Sequence, residues 1–205
     1  MRLKSGIAPA LIALALFCAA PPAGAQTHTL SPALLQAAGA LIEPVSHSEL
    51  LAVIRLDGSE TTNWYLLGPA GHARLLGSGL SQLPRVQQIA VSPNKAWLAV
   101  LSAGAGQPLV EIVDLKQLLE AKRYVVLQQI NPSPGTIRLH DWQEQRLILS
   151  SNAPLARRAS DTPAVPPGQL LAAPRNFAVT INTGRIEEFT PVQRTPRGTP
   201  HALSR

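Results

Sequence analysis

The sequence predicts a mainly β protein made of three four-stranded units behind a short N-terminal helix. Three observations carry this. Helical periodicity is scarce after residue 25. Short runs of Val, Ile and Leu are bounded by Gly, Pro, Asn and Ser, the pattern of strands and turns. One motif of apolar strand, polar turn and apolar strand recurs three times along the chain.

The first 25 residues stand apart from this pattern. Arg2 and Lys4 precede an apolar run from Ile7 to Ala20, and Ala23-Gly24-Ala25 supplies a small-residue cleavage site. A positive start, an apolar core and an Ala-x-Ala end are the parts of a secretory signal peptide. The core falls short of the roughly 20 residues that span a bilayer, and Pro9 interrupts it, which argues against a membrane anchor. Phe17 precedes Cys18 where a lipoprotein site needs a small residue, so Cys18 belongs to the discarded segment. The expected mature chain, cleaved after Ala25, then holds no cysteine: disulfides, thiolate metal sites and cysteine nucleophiles are excluded. An exported chain without disulfides suits the bacterial periplasm.

Residues 26–39 form a helical lead-in, with Ser31 placed to cap and Pro32 at the first helical position. The repeat follows. Ile89-Ala-Val-Ser-Pro-Asn-Lys-Ala-Trp-Leu-Ala-Val-Leu-Ser102 is matched 47 places earlier by Ile42 to Arg55 and 49 places later by Arg138 to Ser151. Leu51-Ala52-Val53, Leu98-Ala99-Val100 and Leu147-Ile148-Leu149 fall in register. Each hairpin is followed by two more strand-like runs: 63–67 and 72–76, then 109–115 and 124–129, then 176–182 and 185–189, the last two joined by Thr183-Gly184. A second short helix is expected over 115–122, with Asp114 and Gln117 as a capping pair. Four antiparallel strands repeating at just under 50 residues describe propeller-like blades, here at about 40–86, 87–135 and 136–190.

The segment Ile89-Ala-Val-Ser-Pro-Asn-Lys-Ala-Trp-Leu-Ala-Val, with Leu109-Val-Glu-Ile-Val-Asp-Leu115 after it, resembles a blade of the TolB-like (PD40) and WD40-like β-propellers. Asn94-Lys95 stands where those families have Asp-Gly, and the other two copies lack Ser-Pro. The resemblance extends over about residues 40–190 and implies a non-catalytic interaction platform in the periplasm.

Three blades leave a physical problem, because a blade buries its faces only against neighbours and propellers close with at least about four. The ends are expected to be capped by the N-terminal helix and the 152–174 loop, or completed by a second copy in a homodimeric six-bladed ring. Packing of the sheets as a β-sandwich is the alternative. Residues 152–174 carry five prolines and read as a mobile insertion between two strands of the last blade; Arg157-Arg158 offers a contact for an anionic partner. Charge is uneven. Residues 26–150 hold nine basic and nine acidic side chains, residues 151–205 seven and three. The surplus ends in a basic tail at 191–205, read as disordered, in which Arg194, Arg197 and Arg205 follow the last acid, Glu188.

No catalytic, cofactor-binding or metal-binding residue emerges, and the chain is not expected to be an enzyme. The five histidines never adopt a short ligand spacing. His140-Asp141 and Glu187-Glu188 are adjacent on strands, where neighbours point to opposite faces. Ser46-His47-Ser48 reads as a turn. Gly77-Ser-Gly79 and Gly104-Ala-Gly106 read as turns between strands, since neither precedes a helix or Lys-Ser/Thr as a phosphate loop would. Trp64-Tyr65, Trp97 and Trp142 read as core. No strand face combines basic and aromatic residues as nucleic-acid binding would need. The expected function is a protein-interaction or scaffold component of a bacterial envelope complex. A carbohydrate- or peptidoglycan-binding module using the tryptophans is the second reading, and a hydrolase or lyase with residues gathered from separate loops the third.

Overall fold

The computed structural model describes residues 31–55, 59–105, 107–132, 135–155 and 170–190. The segment expected to be a signal peptide, the start of the helical lead-in, most of the proline-rich insertion and the basic tail lie outside these residues. Among those described, twelve strands form three separate four-stranded antiparallel sheets, each a chain-order meander. Blade 1 is β1 (Leu41–Pro44), β2 (Leu50–Arg55), β3 (Thr62–Leu67) and β4 (Ala73–Ser78). Blade 2 is β5 (Arg85–Val91), β6 (Trp97–Gly104), β7 (Gln107–Asp114) and β8 (Val126–Ile130). Blade 3 is β9 (Ile137–Gln143), β10 (Arg146–Ser151), β11 (Arg175–Thr180) and β12 (Ile186–Glu188). The first strands of successive blades lie side by side, β1 against β5 and β5 against β9, as the inner strands of an unclosed, propeller-like fan. The β-sandwich alternative is not what forms.

The repeat found in the sequence is the repeat of the fold. Leu51, Leu98 and Leu147 occupy the same place in β2, β6 and β10, and each is fully buried. One turn feature recurs in blades 2 and 3, although the β5–β6 connection is longer than that between β9 and β10. Lys95 and Glu144, 49 positions apart, both take the left-handed conformation, with φ 58° and 53°. Glycine would hold that place without strain, and here two ordinary residues bear it. In blade 2, Ser92 Oγ accepts from the backbone N–H of Trp97 and Asn94 Oδ1 from that of Ala96. Asn94 thus does the turn work of the aspartate it replaces.

Packing explains the composition of each strand. The core between blades 1 and 2 is made by Leu51, Val53, Trp64 and Leu66 against Leu98, Val100 and Val113. Ala99, Leu101, Val110 and Ile112, on the opposite face of blade 2, meet Leu147, Leu149, Phe177 and Val179 of blade 3. Blade 2 is therefore covered on both faces, and its central strands β6 and β7 read as continuous apolar runs. The two end faces are treated differently. On blade 1, Ala52, Ile54 and Leu67 are covered by Leu35 of helix α1 (Pro32–Ala37). On blade 3 the outward face sets polar Arg146, Ser150, Asn176 and Glu187 around the buried Ile148 and Ala178, a largely polar end suited to a terminal repeat. Pro32 opens α1 as expected, although Ser31 makes no side-chain capping bond. Helix α2 (Leu115–Ala121) has the expected cap: Asp114 accepts from the Gln117 N–H at 2.9 Å. No described helix is long and apolar enough to cross a membrane.

Gly77 differs from its expected place in a turn. It lies inside β4, opposite Trp64 at a bulge, and a Cβ there would stand 2.6 Å from Leu80 Cδ2. The Leu80 side chain packs into the space a Cβ would take and would have to shift for any larger residue. Gly79, with φ 61°, supplies the turn.

Candidate functional site: a basic cleft between blades 1 and 2

The meander fixes which loops share an end. In every blade the first and third strands start, and the second and fourth finish, on the same side. The connections 56–61, 79–84, 131–136 and 152–174 therefore all leave from one end of the fan. At that end, between blades 1 and 2, lies a cleft of about 480 Å³. Its polar wall comes from the end of β2 and the starts of β3 and β5: Arg55, Thr62, Arg85 and Gln87. Its apolar wall comes from Leu41, Val53 and Val86, which continue the core below.

The electrostatics of the cleft are one-sided. Arg55 and Arg85 are exposed, and neither guanidinium has an ion-pair or hydrogen-bond partner among the described residues. No carboxylate is among the described residues that line the cleft. The ion pairs among the described residues are both in blade 3, Arg175–Glu188 at 3.2 Å and Arg185–Glu187 at 2.7 Å. Thr62 is a structural element of the wall: it is buried, and its hydroxyl donates to Pro84 O at 2.8 Å, tying β3 to the segment that enters blade 2. Neither arginine was singled out in the sequence. A lone arginine at a strand end looks like any surface charge until the strands are placed.

Deeper in the same interface sits a buried carboxylate. Glu111, at the middle of β7, is 1% exposed. Its Oε2 accepts from the Gln82 backbone N–H and from the Tyr124 hydroxyl, each at 3.1 Å. Burial raises the Glu111 pKa above the ordinary carboxylate value, and these donors, with Gln129, oppose the rise. Burial and the adjacent carboxylate push the Tyr124 phenol well up, so it stays protonated as a donor. The Tyr124 ring stacks edge-on against Trp64, with centroids 5.7 Å apart, and Trp64 Nε1 is buried with no hydrogen-bond partner. The carboxylate is enclosed by structural contacts.

The sequence candidates fall as follows. Trp64 and Trp142 are buried; Trp97 is half-buried and stacks on Trp142 at 6.1 Å across the blade 2–3 interface. Trp142 Nε1 donates to Ala90 O at 3.1 Å. The tryptophans thus form interblade packing and no open aromatic platform. His140 and Asp141 are exposed on β9, and Asp141 Oδ1 accepts from the Trp142 N–H. Glu187 and Glu188 pair with different arginines and do not act together. Ser46 forms the β1–β2 turn, accepting from the backbone N–H groups of Ser48 and Glu49. Among the described residues no group of three or more His, Cys, Asp or Glu is placed to hold a metal ion.

Solved structures share this arrangement of strands. An uncharacterized protein from Listeria monocytogenes EGD-e superposes with a TM-score of 0.50 at 11% identity, over 73% of this chain and 39% of that one. TolB from Acinetobacter baumannii matches at TM-score 0.43 and 12% identity, over 71% of this chain and 30% of TolB. The β-propeller domain of the Trilobed protease from Pyrococcus furiosus, with an open velcro topology, matches at 0.45 and 8%, over 74% and 43%. These identities speak to fold alone, and the propeller-like assignment rests on the three sheets themselves. The chain spans less than half the length of the structures it matches. No protein-family model matches the chain, and no curated protein matches it.

Proposed function

We propose that the chain is a non-catalytic protein-interaction or scaffold component of a bacterial envelope complex, acting in the periplasm after removal of residues 1–25. The observation that carries this reading is the cleft at one end of the fan, lined among the described residues by two unpaired arginines and no acid. The signal-like start, Ala23-Gly24-Ala25, supports the address. The rigid three-blade stack supports the role, because apolar interblade cores hold strand ends and loops in fixed relative positions. The most suggestive acids are already engaged: Glu111 with two donors, Glu187 and Glu188 with arginines.

The test is expression of the full chain with a C-terminal tag in a Gram-negative host. Purification from the periplasmic fraction after reversible crosslinking is followed by intact-mass analysis. The expected result is a chain beginning at Gln26 that carries one stoichiometric protein partner. A chain retained in the cytoplasm with Met1 in place, or one recovered without any stoichiometric partner, refutes the proposal.

A further inference from the structure

We infer that the cleft between blades 1 and 2 binds an acidic peptide segment of a partner protein, its carboxylate held by Arg55 and Arg85; this inference rests on the interaction-platform reading and names the chemistry of its ligand. Two arginines from different blades line the cleft, Arg55 at the end of β2 and Arg85 at the start of β5. Each is free of any partner among the described residues, so neither is consumed in holding the fold. No acid is among the described residues that line the cleft with them. An arginine fork matches a carboxylate, and binding one there replaces water with charge-assisted hydrogen bonds.

Shape favours a peptide over a free ion. A volume of about 480 Å³ is far larger than an inorganic anion needs and lies within the range of organic-ligand sites, about 300–1,000 Å³. Leu41, Val53 and Val86 give the same cleft an apolar share of its lining, which suits an aliphatic residue beside the acid. Gln87 is exposed at the rim with an amide uncommitted among the described residues, able to donate to or accept from a peptide backbone. Thr62 contributes no free donor, because its hydroxyl is spent on Pro84 O. The ligand is therefore an acidic residue next to an aliphatic one in an extended segment. Unpaired positive charge at the mouth would also steer it inward, faster at low salt.

Fluorescence anisotropy with the full chain tests this, using fluorescein-labelled (Leu-Glu)3 amide as probe and (Leu-Gln)3 amide as its neutral counterpart. Binding is expected for the acidic probe, weaker by tenfold or more for the neutral one, and weaker by tenfold or more with R55A or R85A. Both arginines are exposed and unpaired, so these variants should melt with the wild type, and the melting curve checks that they fold. R85K should recover only part of the affinity, since an ammonium cannot form the bidentate fork. Equal binding of the two probes, or acidic-probe binding unchanged in both R55A and R85A, overturns the inference. So does full displacement of the probe by inorganic phosphate at the probe's own concentration, which would mark a small-anion site. Repeating the periplasmic capture with the R55A/R85A double variant separates the two readings. A partner captured equally by wild type and variant leaves the platform standing and removes the cleft as its contact.

Discussion

Replacing Glu111 with alanine and with glutamine should give opposite results. Both donors to Glu111 converge on a single oxygen, Oε2, from Gln82 N and Tyr124 Oη, each at 3.1 Å. Alanine removes that acceptor and strands the two donors in the interface between blades 1 and 2. An orphaned buried donor costs about 1–3 kcal/mol. The Gln82 amide, on an exposed residue, belongs at the low end of that range and the Tyr124 hydroxyl higher. The lost Cγ methylene adds about 0.8 kcal/mol. Relief from burying a charge offsets part of this, leaving a net loss of about 2–4 kcal/mol, or about 5–15 °C in Tm for a domain of this size. Glutamine keeps a carbonyl oxygen for both donors and removes the charge, so E111Q should lie within about 1 kcal/mol of the wild type or above it at pH 7. The pH dependence has a defined sign. Burial raises the folded-state pKa of Glu111 above its ordinary value of 4.5, so the folded protein holds this proton more tightly. The contribution of Glu111 is then most favourable below about pH 4.5 and is lost as pH rises through the folded value. The assay is thermal melting by circular dichroism from about pH 4 to about pH 8, with the E111Q advantage growing as pH rises. Equal destabilisation by Gln and Ala at pH 7, or a difference between wild type and E111Q that stays flat with pH, would refute the reasoning.

Three further outcomes are expected. G135A should destabilise the β8–β9 connection by about 1–3 kcal/mol, read by urea denaturation, because its Cβ would sit 2.6 Å from Ala153 Cβ and 2.8 Å from Pro132 O; an unchanged midpoint would show that this turn gives way freely. E144G should raise stability by about 0.5–1 kcal/mol, since glycine relieves the left-handed strain at φ 53° at some cost in chain entropy; a lower Tm would count against the strain. Light scattering should return the mass of one chain, because α1 covers the face of blade 1 that a six-bladed ring of two copies would need, and a two-chain mass would mean that α1 leaves it.

Much of the fold was legible because its determinants are local. A strand pairs with the next strand along the chain throughout, so apolar runs and turn residues at short range specify each blade. Leu51, Leu98 and Leu147 kept their register from pattern to structure for that reason. Glu111 shows the limit. Within Leu109-Val-Glu-Ile-Val-Asp114 one acid among apolar residues reads as the solvent side of a half-buried strand. It is buried because blade 2 is covered on both faces, which no window of a few residues reveals.

The sequence by itself determined the strand repeat, the turns, the Asp114 helix cap and the absence of thiols after Cys18. Each depends on residues within one hairpin or one helical turn. Only the tertiary structure decided which faces meet, and with that the burial of the tryptophans, the covering of blade 1 by α1 and the polar end of blade 3. It also decided the cleft. Arg55 and Arg85 lie thirty positions apart and share no local pattern. Two meandering sheets packed face to face bring the end of one strand beside the start of another, and so place at one opening two charges that are unpaired among the described residues.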